Sequence, residues 1–519
     1  MTQYERCGRD SQTCRRRGRP GSATVVALLL MLVMTISGMG LAAMSLQSMR
    51  LARAQQAASV AFNISESGIE RGIRYLRTQS GPPAGTTVFY PFGTTPIALG
   101  NGTYDVLIDP NDANPGLFLK QYRIRAVGRA LGRQETIEAH VRMATLGAYA
   151  FLADNWPTSL NVDAANTIDG PFHINTLNNN PLRIAWSTSA TSPIFRNGML
   201  SVGNGGVNYV SPRAPNTEAE YQKIYQLGSA GYRTGVSPVT LPTGTTVQRD
   251  AAWGAGAGFP STDGLYVPAT GSTVAAGIYM RGTFDQLHFR IDGSGNQAMD
   301  LQQGSNQWTI TVNRTANTTT VQKTAGTGSP TTTNLVGLPN GAIYCSGHIN
   351  SMQGTLADSV MSGGSVASRN AYTVAVDSAN GYDITVTGNI RYNTVPSNAN
   401  PWDETANLRA SSLGLIAEEV KIGATAPTTL RIDAIVVAGR SGGTGSFWSP
   451  AYNTKSPRGT VLVYGGVIAN QGGATYTSTR GWIDSYTYDQ RMRANPPPYF
   501  PPASVYERLS FRRVSAGAG

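Results

Sequence analysis

The stretch that decides the fold is RRRGRPGSATVVALLLMLVMTISGMGLAAMSLQSMRLARAQQ, residues 15–56. It places a basic block ahead of 28 residues, 22–49, that carry no charge. A helix of that length rises about 42 Å, which is enough to span a hydrocarbon core. A secretory signal has a shorter apolar region of about 7–15 residues, and no A-x-A step follows here. The stretch therefore predicts a transmembrane helix that stays in the protein.

The charges around this helix predict its orientation. Six arginines precede the apolar run, against only Glu5 and Asp10. Because basic flanks stay on the cytoplasmic side of a membrane, we expect a cytoplasmic N-terminus and an exported body. The predicted location is the bacterial inner membrane, crossed once, with the pilus or the cell surface as a further destination of the body.

The helical pattern continues beyond the apolar run, in RLARAQQAASVAFNISESGIERGIRYLRT, residues 50–78. Apolar or small residues recur there at helical spacing: Leu51, Ala54, Ala58, Ala61, Phe62, Ile69, Ile73 and Leu76. We expect one helix over about residues 23–77, ended by TQSGPPAG. Its second half is amphipathic and needs a surface to pack against. A coiled coil is the alternative, although no heptad is sustained.

The segments RGRPGSATVVALLLMLVMTISGMGLAAM and AFNISESGIERGIRYLR resemble the PilX-type N-terminus of type IV pilus assembly proteins. In that family prepilin peptidase cuts after the glycine that ends a basic leader. The resemblance thus implies cleavage between Gly21 and Ser22. The anchor that remains would contain eight apolar residues: Val25, Val26, Leu28, Leu29, Leu30, Leu32, Val33 and Ile36.

One position departs from the major pilins that this N-terminus resembles. Those proteins usually have glutamate at the fifth mature position, and this sequence has Val26 there. Its absence resembles minor, tip-type members. Since an unpaired carboxylate in lipid is costly, a subunit that meets no neighbour below it can lack one. The residue therefore favours a minor subunit over a bulk one.

The sequence divides into four parts and predicts an α+β protein. Residues 1–21 are a basic leader and residues 22–78 the long pilin-like helix. Residues 86–145 are a small antiparallel β module, with strands in TTVFYPF and GTYDVLID and two strands around the turn RALGRQ. This meander can bury the amphipathic half of the helix. Residues 146–519 are a large β-rich exported domain with a Pro-rich C-terminal tail.

The large domain alternates short strands with Gly-, Asn- and Thr-rich turns, and residues 216–230 are its main helical candidate. From residue 339 the strands recur every 20–40 residues, which favours a parallel β-helix, with a β-sandwich as the alternative. Segments such as GPFHINT and IDAIVVA resemble an uncharacterised domain found behind prepilin-type N-termini. That resemblance covers most of residues 146–510 and implies export without a known activity. In NPPPYFPP, residues 495–502, we expect an extended tail anchored by Tyr499 and Phe500.

The composition argues against several functions. Only five lysines occur and the basic residues are scattered, so nucleic-acid binding is not expected. Three cysteines and four histidines show no metal-ligand spacing, and no cofactor is predicted. His173 fits a structural hydrogen-bonding role better than a catalytic one. Asp383 and Asp433 are the carboxylates that a glycan-active enzyme would use if they faced one groove.

The sequence thus predicts a non-enzymatic minor pilin-like protein that acts in type IV pilus or pseudopilus assembly or at the tip. Its expected partners are membrane lipid, prepilin peptidase, other pilins or pilus assembly components, and a surface glycan or protein ligand. Two alternatives stay open. One is an envelope protein anchored in the inner membrane without a pilus role, and the other is an anchored β-helix enzyme acting on glycans.

Overall fold

The structure is a computed structural model and describes residues 21–78, 87–110, 121–254, 258–396 and 404–514. Several predicted features lie wholly or largely outside these residues. They are the basic leader, the helix break in TQSGPPAG and the last residues of the C-terminal tail.

Helix α1, Gly21–Thr78, is a single helix of 58 residues, as the sequence pattern predicts. No proline interrupts it. Its side chains are exposed over almost all of residues 23–56, and burial begins at Ala57. One continuous helix therefore carries two halves with different surroundings.

Four antiparallel strands follow in chain order: β1 Ile97–Leu99, β2 Gly102–Pro110, β3 Gln121–Ala130 and β4 Arg133–Thr145. Every second residue of β3 is buried, because alternate side chains of a strand point to opposite faces. Strands β3 and β4 join through Leu131 and Gly132, whose φ angles are 51° and 77°. Positive φ at both positions is what a tight hairpin turn requires. The predicted turn RALGRQ is confirmed.

The prediction of a strand in TTVFYPF is wrong. Among the described residues of this segment, Phe89 forms an isolated bridge to Ile108, and the edge strand is β1 instead. Pro91 follows two residues later and has no N–H to continue a ladder.

The large domain begins after β4. Its first strands, in chain order, are β5 Phe151–Asn155, β6 Val162–Asp163, β7 Thr167–Asp169, β8 Phe172–Ile174, β9 Leu182–Ala185, β10 Phe195–Arg196, β11 Leu200–Val202, β12 Val207–Ser211, β13 Tyr232–Arg233, β14 Gly264–Tyr266, β15 Ala269–Thr270 and β16 Thr273–Val274. Those that follow are β17 Ile278–Arg281, β18 Gln286–Ile291, β19 Gln297–Gln303, β20 Asn306–Asn313, β21 Thr318–Ala325, β22 Thr331–Val336, β23 Ala342–Cys345, β24 Ile349–Leu356, β25 Val360–Ser362, β26 Ser365–Ser368, β27 Ala371–Val376, β28 Asp383–Tyr392, β29 Ser412–Ala417, β30 Glu419–Ile422, β31 Thr429–Ala438, β32 Ser446–Trp448, β33 Gly459–Gly472 and β34 Trp482–Tyr488.

Helices in the large domain are short: α2 Glu218–Tyr221, α3 Thr246–Trp253, α4 Glu404–Arg409 and α5 Arg491–Ala494, with 3₁₀ turns at Leu146–Ala148, Gly228–Gly231 and Ser378–Asn380. The helix expected over residues 216–230 is thus reduced to one turn. Thr217 caps that turn by accepting a hydrogen bond from the Glu220 backbone N–H.

Many strands of the large domain stack in three columns whose neighbours pair in parallel. Strands β6, β9 and β12 form a separate parallel sheet, and the successive strands from β18 to β22 pair antiparallel. The first column is β17, β23, β27, β29, β31, β33, β5, β8 and β11. The second is β18, β24, β28, β30 and β32. The third runs from the end of β28 through β31, β33, β34 and β7 to β10. Successive turns of the chain that add parallel strands to the same columns form a β-helix. The predicted β-helix is confirmed, and the sandwich alternative is wrong because its sheets would be antiparallel.

Aromatic rings stack along the inside of this β-helix. Phe151 stacks on Phe172 at 5.0 Å between ring centroids, Phe172 meets Phe195 at 5.2 Å, and Phe195 stacks on Tyr225 at 5.5 Å. All four side chains are buried. Each ring comes from a successive turn of the chain, so the interior of one turn packs directly on the next.

The chain enters the β-helix in its middle. Strands β5, β8, β11 and β13 build outward in one direction. The chain then passes to the other end at β17 and builds back until β33 pairs with β5. The first and last turns of the domain are therefore neighbours. Asp154 joins them, since its carboxylate accepts hydrogen bonds from Asn175 and Asn470 at 2.7 and 2.9 Å.

The last described strand, β35 Pro502–Val514, returns to the small sheet and pairs antiparallel with β4. That sheet has the order β1-β2-β3-β4-β35. The large domain is thus inserted between two neighbouring strands of the small sheet. The preceding Pro-rich stretch lies against the β-helix, where Phe500 is buried and the Pro496 carbonyl accepts a 3.2 Å hydrogen bond from Arg369.

Candidate membrane and assembly segment

The first half of α1 is an apolar surface that the rest of the described chain does not cover. Its eight predicted anchor side chains are 54–67% exposed: Val25, Val26, Leu28, Leu29, Leu30, Leu32, Val33 and Ile36. A helix that is apolar on all sides belongs either in a protein core or in a membrane. This helix is long and apolar enough to cross a membrane. Lipid or neighbouring helices must therefore cover it.

Gly21 and Ser22, the predicted cleavage boundary, are the first two residues of α1. The leader that precedes them lies outside the described residues. From Ser22 onward the sequence has no acidic residue before Glu66. Val26 therefore has no carboxylate near it along the exposed half of the helix.

The second half of α1 packs on the small sheet through small residues. Its buried positions recur three or four apart: Ala57, Ala61, Ile64, Ser65, Gly68, Ile69, Gly72, Ile73 and Leu76. A Cβ atom on Gly68 would lie 2.9 Å from Ala126 Cβ, and one on Gly72 would lie 2.9 Å from Ile124. Across the interface, a Cβ on Gly128 would lie 2.2 Å from the Ala61 carbonyl oxygen. The helix thus lies directly on the backbone of β3.

Strand β35 adds a second contact to the helix. Phe511 meets Phe62 edge to face at 6.3 Å, and the Arg513 guanidinium lies 4.4 Å from the Phe62 ring centroid. The Glu70 carboxylate also lies 3.5 Å from Arg508. The C-terminal end of the chain therefore helps to hold the N-terminal helix on the sheet.

Ion pairs join β4 to β35. Glu138 accepts a 2.6 Å hydrogen bond from Arg512, and Glu507 lies 3.3 Å from Arg142. Burial opposes the charge on Glu138, but hydrogen bonds from Arg512 and His140 outweigh it and lower the pKa of that carboxyl. Strands β4 and β35, which connect the large domain to the small sheet, are thus joined by ion pairs as well as by their backbone hydrogen bonds.

The histidine singled out from sequence is structural. His173 lies in β8 and is 1% exposed. Its Nδ1 is 2.7 Å from Ser201 Oγ and its Nε2 is 2.8 Å from Asn175 Oδ1. Burial lowers its pKa and favours the neutral ring. The partners of the ring are thus two side chains, and its role is to hold neighbouring turns together.

The two carboxylates proposed for a glycan-active enzyme do not converge. Asp433 is fully buried and accepts hydrogen bonds from Arg431 Nε at 2.7 Å and the Tyr392 N–H at 3.0 Å. Asp383 begins β28 and pairs with Lys421 at 2.7 Å. Its strand neighbour in β30 is Glu419, whereas Asp433 is level with Tyr464 of β33. Each carboxylate already has its own cation, and the pair forms no shared groove.

Among the described residues, no group of three or more His, Cys, Asp or Glu side chains is placed to hold a metal ion. Cys345 is a free, buried thiol. Burial raises its pKa to about 12, so it is not a nucleophile at neutral pH.

A long N-terminal helix, apolar in its first half and laid by its second half on an antiparallel sheet, gives the N-terminal part of the chain a type IV pilin-like plan. The comparisons agree for the helix: the family model "PilX N-terminal" matches residues 21–70. The chain therefore carries a PilX-type N-terminus, as the resemblance implied.

Comparisons beyond this segment add little. No curated protein matches the chain. The crystal structure of the competence-associated pilin ComZ from Thermus thermophilus aligns with 88% of this chain and 97% of that chain at 14% identity. Its TM-score is 0.30, which is too low to support an argument about fold or function.

Proposed function

We propose that this chain is a minor subunit of a type IV pilus or pseudopilus, which presents its β-helix at the tip or surface for assembly or adhesion. The observation that carries the proposal is the division of α1. One half packs on the small sheet, and the other is apolar and is not covered by the rest of the described chain. Such a helix can insert in the inner membrane first and pack among other subunits' helices later.

The size of the inserted domain supports a minor role. A compact domain of about 360 residues has a radius of gyration of about 20 Å and so a diameter of about 50 Å. Packed helices lie about 8–10 Å apart. Subunits whose helices were all direct neighbours would therefore crowd their β-helices. Val26, with no carboxylate at the fifth mature position, agrees with a subunit that occurs once or a few times.

The proposed membrane arrangement places the N-terminus in the cytoplasm and the β-helix outside the inner membrane. Prepilin peptidase would cut between Gly21 and Ser22, and membrane lipid would cover the exposed half of α1 until assembly. Other pilins or pilus assembly components would cover it afterwards. The role is structural rather than enzymatic, which agrees with the separate ion pairs of Asp383 and Asp433.

The test is mass spectrometry of the mature N-terminus in cells with and without prepilin peptidase. We expect a chain that starts at Ser22 only when the peptidase is present, and an unprocessed chain in a Gly21→Val variant. Gly38→Ala is the matched control, because no atom lies within 4 Å of a Cβ built at that glycine. A mature chain of the same size with and without the peptidase would instead support an envelope anchor without a pilus role.

A further inference from the structure

An aspartate points into the β-helix from its last turn. In β34, Trp482 and Tyr486 are buried and share one face of the strand. Asp484 stands between them at the same period-two spacing and is directed inward with them. Its neighbour in β33 is Val461, which is fully buried. A carboxylate thus occupies a position that the adjacent turn fills with an apolar side chain.

A cavity of about 210 Å³ lies beside this carboxylate. It is formed where residues 156–166 of the first turn face residues 473–478 of the last turn. Its lining includes the aromatic rings of Trp156, Phe151 and Tyr486, and Ser159, Asn161 and Thr477 supply polar groups. A second carboxylate, that of Asp163, also lines it.

The carboxylate of Asp484 has hydroxyl partners, and no cationic side chain pairs with it among the described residues. Tyr486 donates to its Oδ2 at 2.8 Å and Thr475 donates to its Oδ1. Burial raises its pKa to about 6, and the charge of Asp163 adds to the shift. None of the described residues lining the cavity is Lys, Arg or His. Arg458, whose guanidinium donates to the Ser478 carbonyl at 2.6 Å, is not part of the lining.

Two fully buried carboxylates of the same domain each have the cation that Asp484 lacks among the described residues. Asp433 has Arg431 at 2.7 Å, and Asp489 has Arg491 at 2.7 Å. Because an ionised carboxylate in a low-dielectric site is costly without a partner, proteins pair such groups or use them in a site. The Asp484 carboxylate lines the cavity instead of pairing with a cationic side chain. The space is large enough for a ligand that brings a cation.

We infer that this cavity binds a sugar carrying a protonated amine, with the ammonium group directed at the carboxylates of Asp484 and Asp163. Aromatic rings attract cations and pack against the apolar face of a sugar ring. The hydroxyl and amide groups at the opening would bind the sugar hydroxyls. A lysine side chain fits less well, since it is slender and would leave these polar groups without partners. The inference does not depend on entry into a filament.

The experiment is calorimetric titration of the full-length protein, purified in detergent, with glucosamine. Glucose and oligolysine are titrated in parallel. We expect saturable binding of glucosamine and binding of glucose that is weaker by about tenfold or more, since the ammonium–carboxylate pair is lost. Asp484→Asn should weaken glucosamine binding by a similar factor. Asp250→Asn is the matched control, because that carboxylate is 52% exposed and lies outside the cavity.

A second variant tests the same cavity in case Asp484→Asn does not fold. Ser159 is exposed at the opening of the cavity, so Ser159→Trp should block entry while leaving the melting temperature unchanged. Three results would overturn the inference. They are no saturable binding of glucosamine to the unmodified protein, full binding in both the blocked and the Asp484→Asn variants, and a preference for oligolysine or glucose over glucosamine.

Discussion

Replacing Gly128 by alanine should loosen α1 from the small sheet. The new Cβ would lie 2.2 Å from the Ala61 carbonyl oxygen and 2.6 Å from the Ser65 backbone nitrogen. Both are backbone atoms, so no side chain can rotate away. To restore an ordinary contact of about 3.4 Å, the helix must withdraw by about 1 Å, which forfeits a large part of the dispersion energy of the atoms around it. Overpacking of a core typically costs about 1–3 kcal/mol. We expect about 2–3 kcal/mol here.

Hydrogen–deuterium exchange of the full chain measures this loss locally, without requiring the two domains to unfold together. A cost of 2–3 kcal/mol should speed exchange of amides in residues 57–76 by roughly 30- to 150-fold, provided that local opening limits exchange. Amides of the β-helix should keep their rates. Gly293→Ala is the control, since a Cβ there meets no atom within 4 Å. Equal exchange of residues 57–76 in Gly128→Ala and the unmodified protein would refute the close approach of helix and strand.

Three further changes test the large domain. Asp154→Ala should lower the free energy of unfolding by about 2–4 kcal/mol, because one N–H of each of two buried asparagine amides loses its acceptor; a denaturant midpoint equal to that of the unmodified protein would contradict this. The pKa of Asp484 is raised from 3.8 to about 6, so protonation stabilises the folded state fully below about pH 4. This contribution, about 3 kcal/mol, is lost as the pH rises through 6, and melting temperatures of Asp484→Asn should lack that slope. Arg491→Met should destabilise the domain by about 3–5 kcal/mol because Asp489 stays buried without its cation; the double variant with Asp489→Leu should recover most of the loss in equilibrium unfolding.

The sequence predicts those parts of the fold that depend on a pattern repeating over a few neighbouring residues. The charge-free run and the spacing of Ile69, Ile73 and Leu76 predict α1, since both features repeat within a few turns of one helix. Alternation predicts β2 and β3 for the same reason. The β-helix is predicted from strands and turns that recur along the chain. The anchor and cleavage residues are predicted from the same N-terminal stretch, and their roles stay predictions.

The pairing of strands that are distant in sequence cannot be predicted from such local patterns. Asp154 and Asn470 meet across 316 residues, and nothing near either residue shows that β5 stacks on β33 rather than on another strand of similar composition. The return of β35 is hidden for the same reason, because its partner β4 precedes the whole large domain. The inward position of Asp484 could have been found, since Trp482 and Tyr486 share its period-two face. A strand with two large aromatics on one face predicts that the residue between them is inside.

The insertion makes the small sheet depend on the large domain. Strand β4 is made before the β-helix and β35 after it, so the sheet gains its fifth strand only once the entire large domain has been synthesised. The contacts of β35 with Phe62 and Glu70 of α1 arrive at the same time. The first and last turns of the β-helix are adjacent, and they bring the ends of the domain back to one place where β35 can find β4. All contacts that hold α1 on the small sheet therefore form only when the β-helix is folded. Folding of the large domain is thus coupled to the packing of the N-terminal helix.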